Sequence, residues 1–331
     1  MPAKRAVVFG FGPVGQMLAT ILASHDWDIE VVDARPHESL GTEDTARQIE
    51  QYHHADACRP TPPVATAVRA SSVAVLALPE QVTLRVLEAI KPNLDNKTLV
   101  VETLSRKERV REHIAATVPG SPVLSVNPLF HPELGPVGNK IAIVDGASHA
   151  TVDELVSCIE AAGTDTVQMT AQQHDEQLVP LQALTHSVLL SFARSLPQVV
   201  GDSDDCLRFA PPPTRLLLAL AARVASGAPE TFWDIQSAIG DTPPARQALA
   251  HSLTLLDAEL DQDDLASFGQ SLSSTREWFG ANLTTLAHLA EAALGVSAED
   301  LYTDGRRPRR EDHPHREKPA PPRATPHSKE N

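Results

Sequence analysis

Apolar residues in the first half of the chain come in short unbroken runs: AVVF at 6–9, IEVV at 29–32, VAVLAL at 73–78, TLVV at 98–101, PVLSV at 122–126 and IAIV at 141–144. Between several of them the pattern changes to helical period, as in VGQMLATILASH and QVTLRVLEAIKP. A strand apolar at every position is buried on both faces, so this alternation predicts a doubly wound, mostly parallel sheet with helices on either side. One further unit follows, a helix over 151–162 and a strand near 165–169. After Met169 only helical patterns remain. Thr170-Ala-Gln-Gln173 has the form of a capping box and opens a long amphipathic stretch through Leu196. Pro211–Pro213 then precede TRLLLALAARVASG, and helical patterns cover 229–239, 243–260 and 262–294. The predicted fold is therefore an α/β domain over 1–169, an all-α domain over 170–302 and a separate tail over 303–331.

Composition narrows the class. The chain has 331 residues, 42% of them hydrophobic, enough for two ordinary domains. No apolar run approaches the ~18 residues of a membrane span. The start, MPAKRAVVFGFG, enters a strand at once, so cytoplasmic residence is expected. Cys58, Cys158 and Cys206 are scattered and odd in number, which argues against disulfides and zinc and for reduced, mostly buried thiols. No metal is expected. The net charge of −15 argues against nucleic acid as a partner, since phosphate binding needs a basic surface. Residues 305–331 hold eight Lys/Arg against four Asp/Glu, with six prolines and no large apolar residue. That segment reads as a disordered solubilising tail.

The first strand leads into Gly10-Phe11-Gly12-Pro13-Val14-Gly15, and a helix follows. In this order Gly10 permits the tight turn, Gly12 lets a pyrophosphate approach the backbone and Gly15 packs the helix on the sheet. Free N–H groups at the helix start would hold the phosphates. Asp33 ends the second strand 18 residues after Gly15, placed to bond both ribose hydroxyls. It favours NAD over NADP, although Arg35 nearby weakens the preference. The first domain is thus expected to be a Rossmann domain. Pro79, at the exit of the strand at 73–78, and the strand ends at 102–105 and 127–128 should face the same crevice.

Five further strings occur together: VETLSRK (101–107), VNPLFHPELGP (126–136), HDEQLVPLQALTH (174–186), PPPTRLLLALAARV (211–224) and REWFG (276–280). With the nucleotide motif they resemble the prephenate dehydrogenase family over roughly residues 5–290. The resemblance implies a homodimer that associates through its helical domain. It also implies NAD(P)-dependent oxidative decarboxylation of a cyclohexadiene dicarboxylate. By the same resemblance Ser105 would hydrogen-bond the ring substituent, His186 would be a substrate-site histidine and Arg215 would grip the carboxylate. Gln182 matches a glutamine on the helix of His186. The residues agree with these roles: Gln182 and His186 are spaced i,i+4 and share a face. Arg215 sits in the first turn of a helix, where a cation is disfavoured unless an anion binds it.

One position departs from the family. The catalytic histidine that the resemblance implies before Pro128 is Asn127 here. Asparagine cannot accept a proton as a base, and loss of a general base typically costs about 10²–10⁴-fold. Either prephenate is a poor substrate, or another group such as His131 serves as base, or the substrate needs no base at C4. An amine at C4, as in 4-amino-4-deoxyprephenate, meets the third condition, because its neutral nitrogen can itself expel hydride while Asn127 accepts an N–H bond. What this departure implies is the related branch of the family used for 4-aminophenylpyruvate in antibiotic pathways. The alternatives are prephenate oxidation for tyrosine, or an NAD-binding regulator with impaired catalysis. Hydroxyacid dehydrogenases and imine reductases share the architecture but place a lysine or aspartate on the interdomain helix, and Leu178–Leu196 contains neither.

Overall fold

The computed structural model describes residues 4–36, 49–146, 149–237 and 242–295. Eight strands form one sheet: β1 (Arg5–Phe9), β2 (Asp28–Asp33), β3 (Gln51–His54), β4 (Val73–Leu76), β5 (Leu99–Glu102), β6 (Val123–Pro128), β7 (Lys140–Val144) and β8 (Asp165–Met169). Their order is β3-β2-β1-β4-β5-β6-β7-β8. Neighbours are parallel except β6 and β7, which are antiparallel. The reason is local. Parallel strands need a long crossover, and the segment between β6 and β7 carries only a 3₁₀ turn, Pro132–Leu134, with Gly135 and Gly138 at positive φ.

The helices α1 (Pro13–Ala23) and α5 (Ala150–Ala161) cover one face of the sheet, and α2 (Pro62–Ala70), α3 (Glu80–Ile90) and α4 (Glu108–Thr117) the other. Strand pleating sorts the core. Ala6 and Val8 of β1 pack with Leu18, Ile21 and Leu22, whereas Val7 and Phe9 pack with Val64, Val86 and Leu87. Each such side chain contributes roughly 1.5–3 kcal/mol. The strand order reverses between β1 and β4, so the crevice at their carboxyl ends is the place where a sheet of this kind takes a ligand.

From Met169 the chain is helical: α6 (Ala171–Val199), α7 (Ser203–Phe209), α8 (Pro212–Ala225), α9 (Pro229–Gln236), α10 (Thr242–Asp261), α11 (Leu265–Phe279) and α12 (Asn282–Leu294). The predicted capping box is present, with Gln173 N donating to Thr170 Oγ1 at 3.1 Å and Thr170 N to Gln173 Oε1 at 3.0 Å. The single helical stretch expected over 262–294 is two helices, broken at Gly280 with φ 52. The edge strand β3, sequence QYHH, has no apolar run to announce it. It forms by backbone pairing to β2. Of the three free thiols only Cys158 is buried; Cys58 and Cys206 are half-buried. The chain divides into two compact units, Met1–Ser271 and Leu272–Asn331. The tail expected over 303–331 lies outside the described residues. Among the described residues no helix is long and apolar enough to cross a membrane.

Candidate active site

The glycine loop makes the first part of the site. Gly10 turns the chain at φ 87 and donates its N–H to Val32 O at 2.9 Å. A Cβ on Gly10 would lie 2.3 Å from Ala77 O, and one on Gly15 would lie 2.0 Å from Gly10 O. Both positions exclude a side chain because backbone fills the space. Gly12 differs. A Cβ there meets nothing within 4 Å, and no side chain caps α1 at this residue. An uncapped helix start with open space before it suits a phosphate group.

Asp33 does not present a free carboxylate. Its Oδ2 accepts from Phe11 N at 2.6 Å and from Arg35 Nη2 at 3.1 Å. Its Oδ1 accepts from Arg35 N at 2.8 Å and Nε at 3.1 Å. Burial pushes the Asp33 carboxyl up, but these bonds outweigh burial and hold its pKa below the ordinary value. Asp33 thus ties the glycine loop to β2, with Arg35 over it. Pro79 is the N-cap of α3, and the next N–H, that of Glu80, donates to Asp234 Oδ2 of α9 at 3.3 Å. The loop and α9 come together although they are far apart in sequence.

The second part lies at the ends of β5 and β6. Glu102 and Lys107 are fully buried, with Lys107 Nζ 3.1 Å from Oε1 and 3.2 Å from Oε2. Nζ also donates to Val126 O at 3.1 Å, and Leu104 N donates to Glu102 Oε2 at 2.7 Å. This pair clamps the turn that carries the half-buried Ser105 against β6. Burial lowers the pKa of the Lys107 ammonium, and the Glu102 carboxylate opposes that shift.

Asn127, next along β6, is buried, and its Nδ2 lies 2.8 Å from Nε2 of His174. His174 Nδ1 lies 2.8 Å from Asp175 Oδ1, and Asp175 also accepts from the N–H groups of Lys107 and Glu108. Burial pushes the Asp175 carboxyl up, but His174 and those two N–H groups more than offset this and hold its pKa low. From sequence Glu102 is expected only as part of a strand end facing the crevice, and His174, Asp175 and Lys107 have no role of their own. A His-Asp pair in a first helical turn reads as a solvated charge until its neighbours are known.

Further along α6, His186 packs edge-on against Phe232 with ring centroids 5.1 Å apart. Gln182 Oε1 and His186 Nδ1 are buried without a hydrogen-bond partner among the described residues. Burial lowers the His186 pKa, and the charge of Arg223 on α8 lowers it further. Two unpartnered buried polar atoms one turn apart invite a polar group of a ligand. Arg215 is exposed in the first turn of α8 and makes no ion pair among the described residues. It is Arg223, two turns later, whose charge reaches His186. His131 turns to its own 3₁₀ turn: its Nδ1 accepts from Glu133 N at 3.4 Å, and the Glu133 carboxylate lies 3.6 Å away. The histidine on Asn127 is His174.

Residues 5–106 match the family described as NADP oxidoreductase, coenzyme F420-dependent. Over 283 residues the chain is 32% identical to the 4-amino-4-deoxyprephenate dehydrogenase of Streptomyces pristinaespiralis, covering 86% of this chain and 93% of that protein. The chain belongs to the prephenate dehydrogenase family. The chain is also similar to the T-protein of Enterobacter agglomerans, 24% identical over 66% of this chain and 58% of that protein. The fold agrees with that of prephenate dehydrogenase from A. aeolicus in complex with hydroxyphenyl propionate and NAD+. The TM-score is 0.66 at 15% identity, over 83% of this chain and 97% of that one. Within the family this chain is an oxidoreductase of the prephenate/arogenate type with a Rossmann domain and a helical C-terminal region.

Proposed function

We propose that the chain carries out NAD-dependent oxidative decarboxylation of 4-amino-4-deoxyprephenate to 4-aminophenylpyruvate. The observation that carries this reading is Asn127 at the carboxyl end of β6. Its amide nitrogen is engaged by His174, and nothing among the described residues donates to its Oδ1. An amide oxygen accepts a hydrogen bond but takes no proton. It suits an amine, whose lone pair supplies the push for hydride loss without help, better than a hydroxyl, which needs its proton withdrawn.

Gly10, Gly12 and Gly15 with the start of α1, Asp33 and Pro79 would hold the dinucleotide. Bound NAD would accept the hydride from C4. Around the substrate, Ser105 and Asn127 hydrogen-bond the C4 substituent. Gln182 and His186 orient the ring side through their buried, unpartnered Oε1 and Nδ1, and Arg215 binds a carboxylate. His131 lines the outer edge. Loss of carbon dioxide from C1 as hydride leaves C4 makes the ring aromatic, with the nitrogen retained as a neutral aryl amine. The active form is a homodimer. Leu181, Leu184 and Val188 of α6 and Leu216, Leu217 and Leu220 of α8, two helices that pack on each other, are exposed large apolar residues that a second copy would cover.

The purified chain with NAD and each substrate, the product identified, tests the reading. The expected result is rapid formation of 4-aminophenylpyruvate and slow turnover of prephenate. Efficient prephenate oxidation with no reaction of the amine would overturn it.

A further inference from the structure

We infer that His174 is a positioning residue: its Nε2 fixes the side-chain amide of Asn127 so that the oxygen, not the nitrogen, is offered to the substrate. The inference rests on the reading that Asn127 faces the C4 substituent.

The orientation follows along the chain of partners. Asp175 can only accept, because the backbone N–H groups of Lys107 and Glu108 already point at its carboxylate, at 2.9 and 3.0 Å. His174 Nδ1, 2.8 Å from that carboxylate, must therefore carry a hydrogen. In the neutral ring the remaining nitrogen, Nε2, is then an acceptor. Its partner at 2.8 Å must be a donor, and on Asn127 the donor is Nδ2. Oδ1 is the group left over. A flipped amide would set Oδ1 against the Nε2 lone pair, two acceptors in a site where water cannot intervene, since His174 is 0% exposed.

Both ends of this pair are held from outside. The capping box and the bond from Ala171 N to Asp145 Oδ2, 2.7 Å, hold the first turn of α6. Lys107 Nζ holds the carbonyl of Val126, one residue before Asn127. His174 has no exposed surface of its own, so it reaches the reaction only through Asn127. The consequence is a specificity rule: the site offers an acceptor, and the substituent opposite it must be a hydrogen-bond donor.

A double-mutant cycle tests this. His174→Phe keeps a ring and removes the acceptor, and His174→Gln returns an acceptor through its Oε1. With Asn127 present, His174→Phe should lower kcat roughly 10–100-fold with little change in KM, the usual effect of removing an outer hydrogen bond that orients a reacting group. His174→Gln should recover most of that loss. In an Asn127→Ala background, where no amide remains to be oriented, His174→Phe should change kcat by less than about twofold. Calorimetric titration with 4-aminophenylpyruvate gives the same cycle without turnover, and the weakening should vanish likewise in Asn127→Ala. Equal losses in both backgrounds, in kcat and in product affinity, would mean that His174 merely supports the fold, and would overturn the inference. His174→Leu replaces His174→Phe in every arm if the latter does not fold. A protein that oxidises prephenate and ignores the amine overturns the proposed substrate alone, and the cycle is then read on prephenate.

Discussion

The two ends of the site are built from different materials. At the glycine loop the working parts are backbone: a positive φ at Gly10, a carbonyl against Gly15, open space at Gly12 and the start of α1. At the ends of β5 and β6 they are buried side chains, Glu102 with Lys107 and Asn127 with His174 and Asp175. The first end draws mainly on one contiguous stretch of sequence, with the Asp33 carboxylate and the Ala77 carbonyl set against it. The second joins a turn, a strand and a helix, with Asn127 and His174 separated by 47 positions. The difference predicts how each end fails. A backbone site should be sensitive to added atoms, and a side-chain network to removed partners.

The largest effect is expected at the network. Glu102→Gln leaves the Lys107 ammonium buried without its counter-charge, and removing one partner of such a pair costs about 3–5 kcal/mol. Denaturant unfolding should show that loss, and the double variant Glu102→Gln, Lys107→Met should recover much of it. If the single variant is as stable as the parent, the network is not what holds the Ser105 turn.

At the glycine loop, Gly10→Ala places a Cβ at φ 87 and against Ala77 O, so destabilisation of at least about 1–3 kcal/mol is expected in the same measurement. Gly12→Ala has free space and should leave stability within about 0.5 kcal/mol. It should nevertheless weaken NAD binding by roughly tenfold or more, about 1.4 kcal/mol, because the methyl occupies the approach to the backbone. Unchanged NAD affinity in Gly12→Ala would take the pyrophosphate away from this loop.

The smallest effect concerns pH. His186 has its pKa lowered by burial and then by Arg223, so the folded state favours the neutral ring. A depressed pKa contributes stability that is present above the unfolded value, near ~6.5, and is lost as pH falls through the folded value. His186→Gln should therefore flatten the fall of melting temperature just below neutral pH. No change in slope there would show that His186 is not a buried neutral ring.

Much of the fold was legible because its causes are local. Apolar runs such as VAVLAL are buried on both faces wherever they occur, the Gly10–Gly15 spacing specifies a turn and a helix start, and Thr170 with Gln173 caps a helix by its own side chains. The antiparallel β7 and the edge strand β3 were not legible. A short connection reverses the chain at β7, and β3 exists only because β2 offers it backbone partners. The same division runs through the site. That Asn127 stands where the resemblance implies a base is a fact of sequence, and so is the presence of Ser105, Gln182, His186 and Arg215.

Tertiary structure alone decided that Asp33 is bound by Phe11 and Arg35 and that His131 turns to Glu133. It also decided that Arg223 is the cation nearest in effect to His186, and that His174 holds the amide of Asn127. The physical reason is that a hydrogen bond between buried side chains depends on direction and exclusion of water, and both are set by which distant segments pack together. Sequence supplies donors and acceptors; the fold decides which of them face each other.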